Sequence, residues 1–406
     1  MVNLDKLYSD RAGKMRKSEI RELLKVTQDP EIISFAGGLP NPKSFPVEDL
    51  QVIINNVLKT NASTALQYGA THGVDELRKL IMERACKEGM KVTLDNVIIT
   101  SGSQQALDAV GKLFLNPGDT ALVESPSYLG GINAFRSYEA NLTGIPTDKD
   151  GIKLDILEET IKKLLKEDVS LKFIYTVPTF QNPAGFVMPE SHRKKLIDIA
   201  AEYNLIIVED DPYGKLRYDI PPVKSIKAFD DEDRVIYMST FSKILAPGFR
   251  LAWVIASEDI IRKIAVCKQA LDLCTNTFTQ FIACEFMKSG SMDLHIMKIC
   301  EMYKPKRDIM INSIEKYFPE DCVCNKPKGG MFAWATLPEG IDTETLFLDA
   351  IKEKVAYVHG KAFHVDGGGG RSMRLNFSYP TNEQIEEGIK RLGKVIKKKL
   401  ETRVVL

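Results

Sequence analysis

A lysine attacks a carbonyl only as the free amine, so a Schiff-base lysine needs its pKa lowered by an apolar wall or a neighbouring cation. Lys243 has both nearby in sequence. It sits in Tyr237-Met238-Ser239-Thr240-Phe241-Ser242-Lys243-Ile244-Leu245-Ala246-Pro247-Gly248-Phe249-Arg250, with apolar residues directly after it and Arg250 seven positions on. The hydroxyls before it and the arginine behind it suit a phosphate-bearing aldehyde. Alone, a Ser-Lys pair is more often a surface feature, so its surroundings decide. In Val97-Ile98-Ile99-Thr100-Ser101-Gly102-Ser103-Gln104-Gln105-Ala106-Leu107 an apolar strand breaks at small hydroxyl residues and reopens as a helix. Such a break leaves backbone N–H groups free to cradle a phosphate. Asn182 falls in the loop after Phe173-Ile174-Tyr175, and Asp210 ends Leu205-Ile206-Ile207-Val208-Glu209-Asp210, just ahead of Asp211-Pro212-Tyr213.

These segments are far apart in sequence, so only a scaffold that gathers strand ends can make them one site. From about 46 to 285, apolar strands alternate with helical patterns: Val97 to Thr100, Thr120 to Glu124, Phe173 to Thr176, Leu205 to Glu209, Arg234 to Met238 and Leu251 to Ala256. The rhythm predicts an α/β fold with a mainly parallel sheet flanked by helices, binding ligands beyond the carboxyl ends of its strands. The intervals from Asn182 to Asp210 and from Asp210 to Lys243 each leave room for a crossover helix. Residues 286–406 read as a long helix followed by a smaller α+β domain, with strands around Gly330 to Thr336, Ala356 to Val358 and Met373 to Phe377. Residues 1–45 form a polar arm, with a short helix beginning near Ser18, expected to pack with that small domain. Gly367 to Gly370 reads as a loop before a strand, and Ile385 to Leu400 as an amphipathic final helix with a solvated basic face.

In order along the chain, Ser34-Phe35-Ala36-Gly37-Gly38-Leu39-Pro40, the lysine segment, Gly329-Gly330-Met331-Phe332 and Arg374-Leu375-Asn376-Phe377-Ser378 resemble the pyridoxal phosphate (PLP) dependent aminotransferases of the aspartate aminotransferase fold. Within these the chain is similar to the kynurenine/2-aminoadipate aminotransferase branch. The resemblance covers nearly the whole chain and implies a type I PLP-dependent transferase fold, with a large domain over residues 46–285. It implies that Lys243 carries the cofactor and moves the substrate proton, and that Asp210 keeps the ring nitrogen protonated. Asn182 and Tyr213 would bond the ring's phenolate oxygen, although singly each is more often a turn residue or a core tyrosine. Tyr128 matches an aromatic that stacks on the ring. Ser103, Gln104, Thr240, Ser242 and Arg250 would hold the phosphate, Thr240 replacing a serine common in relatives. Tyr68 matches a tyrosine that reaches the phosphate from a neighbouring subunit, which implies a homodimer with shared active sites. Arg374 would hold the substrate α-carboxylate, its rival role being a structural ion pair, and Gly38 would let substrate approach the backbone. Arg21 would meet a distal carboxylate, or else pair along an exposed helix. The implied reaction moves an amino group from an aromatic, 2-aminoadipate or broad-range donor to 2-oxoglutarate by ping-pong kinetics.

Composition bounds these readings. The 406 residues exceed what one core usually serves, roughly 250 to 300, which agrees with two domains. With 55 basic and 55 acidic residues there is no global field to favour nucleic acid or an anionic membrane. The seven cysteines are scattered and odd in number, which argues for reduced thiols in a cytoplasmic protein. Cys322 and Cys324 are the only close pair and have no suitably spaced histidine, so no metal is expected. No apolar run approaches the roughly 18 to 20 residues a membrane span needs. A PLP-dependent lyase or decarboxylase on the same fold is the alternative function. A PLP-binding regulator is a more distant one, since 45 residues are few for a DNA-binding domain.

Overall fold

The computed structural model describes residues 2–14 and 29–404. Its strands are β1 (Ile33–Ser34), β2 (Val97–Thr100), β3 (Thr120–Ser125), β4 (Asn141–Asp148), β5 (Gly151–Ile152), β6 (Leu171–Thr176), β7 (Ile206–Asp210), β8 (Val235–Thr240), β9 (Ala252–Ile255), β10 (Val323–Cys324), β11 (Phe332–Thr336), β12 (Val355–Ala356), β13 (Val358–His359) and β14 (Ser372–Asn376). Eight of them form one sheet in the order β2-β9-β8-β7-β6-β3-β4-β5. The pairings β8–β7, β7–β6, β6–β3 and β3–β4 are parallel, whereas β9 runs antiparallel to both its neighbours and β5 to β4.

Consecutive apolar residues demand cover on both faces of a sheet. Every residue of β2, β3 and β8 is buried. Because side chains alternate across a strand, Phe173, Tyr175 and Val208 enter one cluster while Ile174 and Ile207 enter another on the opposite face. The helices α1 (Ser103–Phe114) and α2 (Glu190–Glu202) contribute to these two layers: Ala106, Leu107 and Val110 to the first, Leu196, Ile199 and Ala200 to the second.

The sheet departs from the sequence expectation in two places. The β6–β7 crossover carries α2, but between β7 and β8 the only helical turn is a short 3-10 segment, Lys227–Phe229. Pro212, Pro221 and Pro222 interrupt that stretch and deny it a continuous helical ladder. Further on, β9 returns antiparallel because residues 241–251 are too few for a crossover of a dozen or more. The loop that carries Lys243 is therefore the tip of an antiparallel pair. Since β2 is in turn antiparallel to β9, its carboxyl end shares the edge with those of β3, β6, β7 and β8. Thr100, Ala252 and Thr240 lie in one register row, as do Asp210 and Met238.

A second sheet, β10-β11-β14-β13, is antiparallel throughout, and β1 pairs in parallel with β12. Helices α3 (Glu258–Asp272), α4 (Ser291–Tyr317) and α5 (Asn382–Val404) follow the large sheet. The last two pack on each other, and α5 also packs on β1 and β12. Ile385, Ile389, Leu392 and Ile396 supply the buried stripe of α5.

Gly329 and Gly330 join the second sheet to the loop after β7. Gly330 N donates to Leu216 O at 2.7 Å, and a Cβ on Gly329 would lie 2.3 Å from the same carbonyl oxygen and 2.3 Å from the Phe180 ring. Backbone on one side and a buried ring on the other cannot both yield. Gly329→Ala is therefore expected to lower stability by about 1 to 3 kcal/mol, read as a fall in denaturant midpoint at unchanged slope; an unchanged midpoint would show that the loop adapts freely.

Candidate active site

The shared edge of carboxyl ends opens on a cavity of about 500 Å³ that also reaches the second sheet. From the large sheet come Ser103, Gln104, Tyr128, Asn182, Asp210 and Tyr213, and from the β8–β9 loop Thr240, Ser242, Lys243 and Arg250. Gly38 from the arm and Arg374 from β14 complete the polar wall, and Leu39, Val177 and Phe332 are among the apolar lining. Two expected residues stand apart. Tyr68 is 80% exposed and does not line the cavity of its own chain, and Arg21, with the helix expected from Ser18, lies outside the described residues.

Lys243 is half-buried and donates from Nζ to Gly38 O at 2.9 Å. Burial of the amine, followed by the Arg374 and Arg250 guanidinium groups, brings its pKa down to about 8. The sequence identified Arg250 as such a cation; Arg374, 131 positions beyond Lys243 (374 minus 243), is a second one that only the fold brings near.

Asp210 is 1% exposed. Its Oδ2 accepts from the Tyr175 hydroxyl at 2.9 Å, while Oδ1 has no partner among the described residues. Burial pushes the carboxyl up to about 7, the Tyr175 bond opposing and Asp211 and Glu124 adding to the rise. Beside it, Arg374 donates to Asn182 Oδ1 at 2.9 Å and to Ala36 O at 2.8 Å, and Asn182 Nδ2 faces the Tyr213 oxygen at 3.3 Å. The Arg374 guanidinium lies between the rings of Phe332 and Phe363, 4.2 and 4.9 Å from their centroids. Its Nε has no partner among the described residues. Burial lowers its pKa to about 10, still fully charged at neutral pH.

At the opposite end, Gly102 turns with φ 85° into the first residue of α1. A Cβ there would meet the Arg250 guanidinium at 2.4 Å, so glycine is what lets the guanidinium lie against the turn. Arg250 itself has φ 53°, the left-handed region, at the end of a short 3-10 turn. Thr240 Oγ1 bonds Ser242 Oγ at 2.9 Å and accepts from Ser242 N at 3.0 Å, fixing the step into Lys243. The Gln104 side chain bonds Gly130 O at 3.1 Å.

Pyridoxal phosphate would ask for an acceptor at its ring nitrogen, donors at its phosphate and phenolate oxygens, and an amine at its aldehyde. The buried atoms without partners among the described residues include the acceptor Asp210 Oδ1 and the hydroxyl Ser103 Oγ. Buried polar groups are rarely left unpaired unless a ligand or water completes them. With Lys243, Arg250, Asn182 and Tyr213 on the same wall, the residues fit the group. Among the described residues no cluster of three or more His, Cys, Asp or Glu could hold a metal ion, and no helix is long and apolar enough to cross a membrane.

Several supports escaped the sequence reading. Tyr175 occupies one oxygen of Asp210, and Phe363 stacks on Arg374. Asp272, near the end of α3, accepts from Ser101 Oγ at 2.7 Å, Gln105 Nε2 at 2.8 Å and Lys268 Nζ at 2.8 Å, bracing the Gly102 turn from below. In sequence, Lys268 and Asp272 are a helical i,i+4 pair like any on a surface; only the burial of Lys268, 1% exposed, distinguishes them.

A family model described as aminotransferase class I and II matches residues 41–392. An aromatic-amino-acid aminotransferase from Thermococcus litoralis is 50% identical over 401 residues, spanning 98% of this chain and 96% of that protein. The crystal structure of a Pyrococcus horikoshii kynurenine aminotransferase in complex with PMP superposes with a TM-score of 0.95 at 50% identity, covering 98% of each chain. That of the α-aminoadipate aminotransferase LysN from Thermus thermophilus, complexed with N-(5'-phosphopyridoxyl)-L-leucine, gives 0.91 at 36% identity, covering 99% and 100%.

Burying the Lys243 amine has a cost with a definite pH signature. Its folded pKa, about 8, lies below the ordinary value of 10.5, so between these the unfolded chain binds a proton that the folded one does not, and stability rises with pH. Below pH 8 the full penalty applies. The cofactor-free Lys243→Met protein should therefore be more stable than wild type at pH 7, by up to about 3 kcal/mol, with the advantage shrinking as pH approaches 10. Denaturant unfolding of both proteins across that range checks this; a pH-independent difference would contradict it.

Proposed function

Because the chain belongs to the class I and II aminotransferases, enzymes that work through pyridoxal phosphate, we propose that it moves the amino group of an aromatic, 2-aminoadipate or similarly large donor to 2-oxoglutarate by ping-pong kinetics. The observation that carries the reading is one cavity lined by a low-pKa lysine, by Asp210 and by Arg374, the last two each with a side-chain atom that has no partner among the described residues. The relatives favour transamination over the lyase and regulator alternatives. The apolar wall of Leu39, Val177 and Phe332 suits a large side chain, and the names of the relatives in the kynurenine and aminoadipate branch support the same donor range.

Bound pyridoxal phosphate supplies the electron sink that lets a Cα–H bond of the amino acid break. The chain's own residues do the rest. Asp210 Oδ1 would hold a proton on the ring nitrogen, and Asn182 and Tyr213 would bond the ring oxygen. Tyr128 would cover the ring face. Ser103, Gln104, Thr240, Ser242 and Arg250 would grip the phosphate with hydroxyl, backbone and guanidinium donors. Arg374, already oriented by Asn182 and Ala36, would take the substrate α-carboxylate, and Gly38 would leave room beside it. Lys243 Nζ would accept the proton from substrate Cα and pass it to the cofactor, a task suited to an amine with pKa about 8. Arg21 would read a distal carboxylate.

We further propose a cytoplasmic homodimer. Residues 46–285 would form the cofactor-binding domain and 286–406 the small domain, with the 1–45 arm joined to the latter through β1 and β12. Tyr68, 80% exposed and accompanied by the exposed Leu58, Leu66, Leu271 and Leu273, would reach the phosphate of the partner's site.

Two experiments test this. With PLP present, purified protein should form glutamate from 2-oxoglutarate and at least one aromatic or 2-aminoadipate donor, and Lys243→Ala should lose about three orders of magnitude in kcat; no glutamate from any donor in such a panel would reject the assignment. Mixed dimers of Tyr68→Phe and Lys243→Ala chains should regain one complete site and hence activity. A lack of recovery despite demonstrated subunit exchange would mean that each chain builds its site alone.

A further inference from the structure

A fully buried acid near the site does not line it. Glu124, on β3 one residue before its end, is 0% exposed. Its Oε1 shares a short hydrogen bond with the Thr176 hydroxyl, its Oε2 accepts from Gln181 Nε2 at 3.0 Å, and Val177 N lies 3.3 Å from both oxygens. The charged or titratable groups that face it are acids, Tyr175 on β6 and Asp210 on β7. No Lys, Arg or His bonds it among the described residues.

Glu209, equally buried at the end of β7, shows the other way to build such a group. Arg193 lies 3.8 Å from it, and the backbone N–H groups of Ile226 and Lys227 donate to its two oxygens at 2.8 and 2.9 Å. A cation and two backbone donors thus oppose the burial that raises the Glu209 carboxyl to about 7. Around Glu124 the partners are a hydroxyl, an amide and one backbone N–H.

We propose that Glu124 is a positioning residue that works as an uncharged carboxylic acid, locking together the two loops that carry Tyr128 and Asn182 and leaving Asp210 as the site's negative charge. This rests on the PLP reading of Asp210 and Asn182. The lock runs through Gln181. Its Nε2 donates both to Glu124 Oε2 and, at 2.8 Å, to Pro126 O, two residues ahead of Tyr128; its Oε1 accepts from Ala184 N at 2.6 Å. Asn182 is the next residue in the chain. As an acid, Glu124 can hold its proton within the short Oε1–Thr176 Oγ1 hydrogen bond while Oε2 keeps accepting from Gln181 Nε2.

The uncharged state also follows from the neighbourhood. Two carboxylates in one low-dielectric region do not both ionise readily. A cation beside Asp210 Oδ1 favours ionisation of Asp210, and the charge then formed holds the proton on Glu124. Burial outweighs the pull of its hydrogen bonds and raises the Glu124 carboxyl to about 7.

The test compares wild-type, Glu124→Gln and Glu124→Ala holoenzymes at neutral pH. The infrared difference between wild type and Glu124→Gln should contain the C=O band of a protonated carboxylic acid, shifting in D₂O. Glutamine reproduces one donor and one acceptor, so its kcat/KM should stay within about threefold of wild type, whereas alanine leaves Thr176, Val177 and Gln181 unpaired and should cost roughly a hundredfold, with weaker retention of the cofactor's visible absorbance. A pair of carboxylate bands in place of the acid band, or a glutamine variant as impaired as alanine, would overturn the proposal. The infrared comparison stands even if the alanine protein does not fold. Transamination by wild type and its loss in Lys243→Ala report separately on the underlying PLP reading.

Discussion

A carboxyl and a guanidinium share one interior cavity without neutralising each other. Asp210 and Arg374 are 1% and 2% exposed, and burying either charge alone costs several kcal/mol. The cheapest remedy would be a direct ion pair, which would also extinguish both charges as reagents. The fold instead gives each charge neutral company: a phenol for Asp210, and an amide oxygen, a carbonyl oxygen and two aromatic faces for Arg374. The charges are thus oriented but not cancelled, and each keeps one atom without a partner among the described residues.

The same principle explains the amine between them. Among the described residues Lys243 bonds only a carbonyl oxygen, and burial, followed by the two guanidinium groups, lowers its pKa. Such an arrangement needs a rigid frame, because a relaxed chain would collapse oppositely charged groups together. The frame is the row of strand ends. Hydrogen-bonded register fixes the carboxyl ends of β2, β8 and β7 relative to one another, and the Gly329–Gly330 crossing ties the second sheet, which brings Arg374, to the loop after β7.

Most of the site was legible in the sequence because strand ends announce themselves: an apolar run stops, and a polar residue follows. Ser103, Asn182, Asp210 and Lys243 all lie at or just past such points, and the parallel β6–β7–β8 core follows from their spacing. Relations between strands were not legible. The polar alternation of β4 hid a strand, and the antiparallel return of β9 depends on a loop length that the apolar pattern does not weigh. The bond from Tyr175 to Asp210, the stacking of Phe363 on Arg374 and the Asp272 brace join residues whose types are ordinary and whose significance is positional. Glu124 belongs with them, since a glutamate near the end of an apolar strand looks like a solvated end until its burial is known.

The central claim is that Asp210, spared a cationic protein partner, remains an anion that keeps the cofactor's ring nitrogen protonated. It is tested most directly by ¹⁵N NMR of holoenzyme reconstituted with ring-¹⁵N pyridoxal phosphate, comparing wild type with Asp210→Ala. The account predicts a protonated-nitrogen shift in wild type that persists through pH 8, and an unprotonated one in the variant. Equal shifts in the two proteins would contradict it.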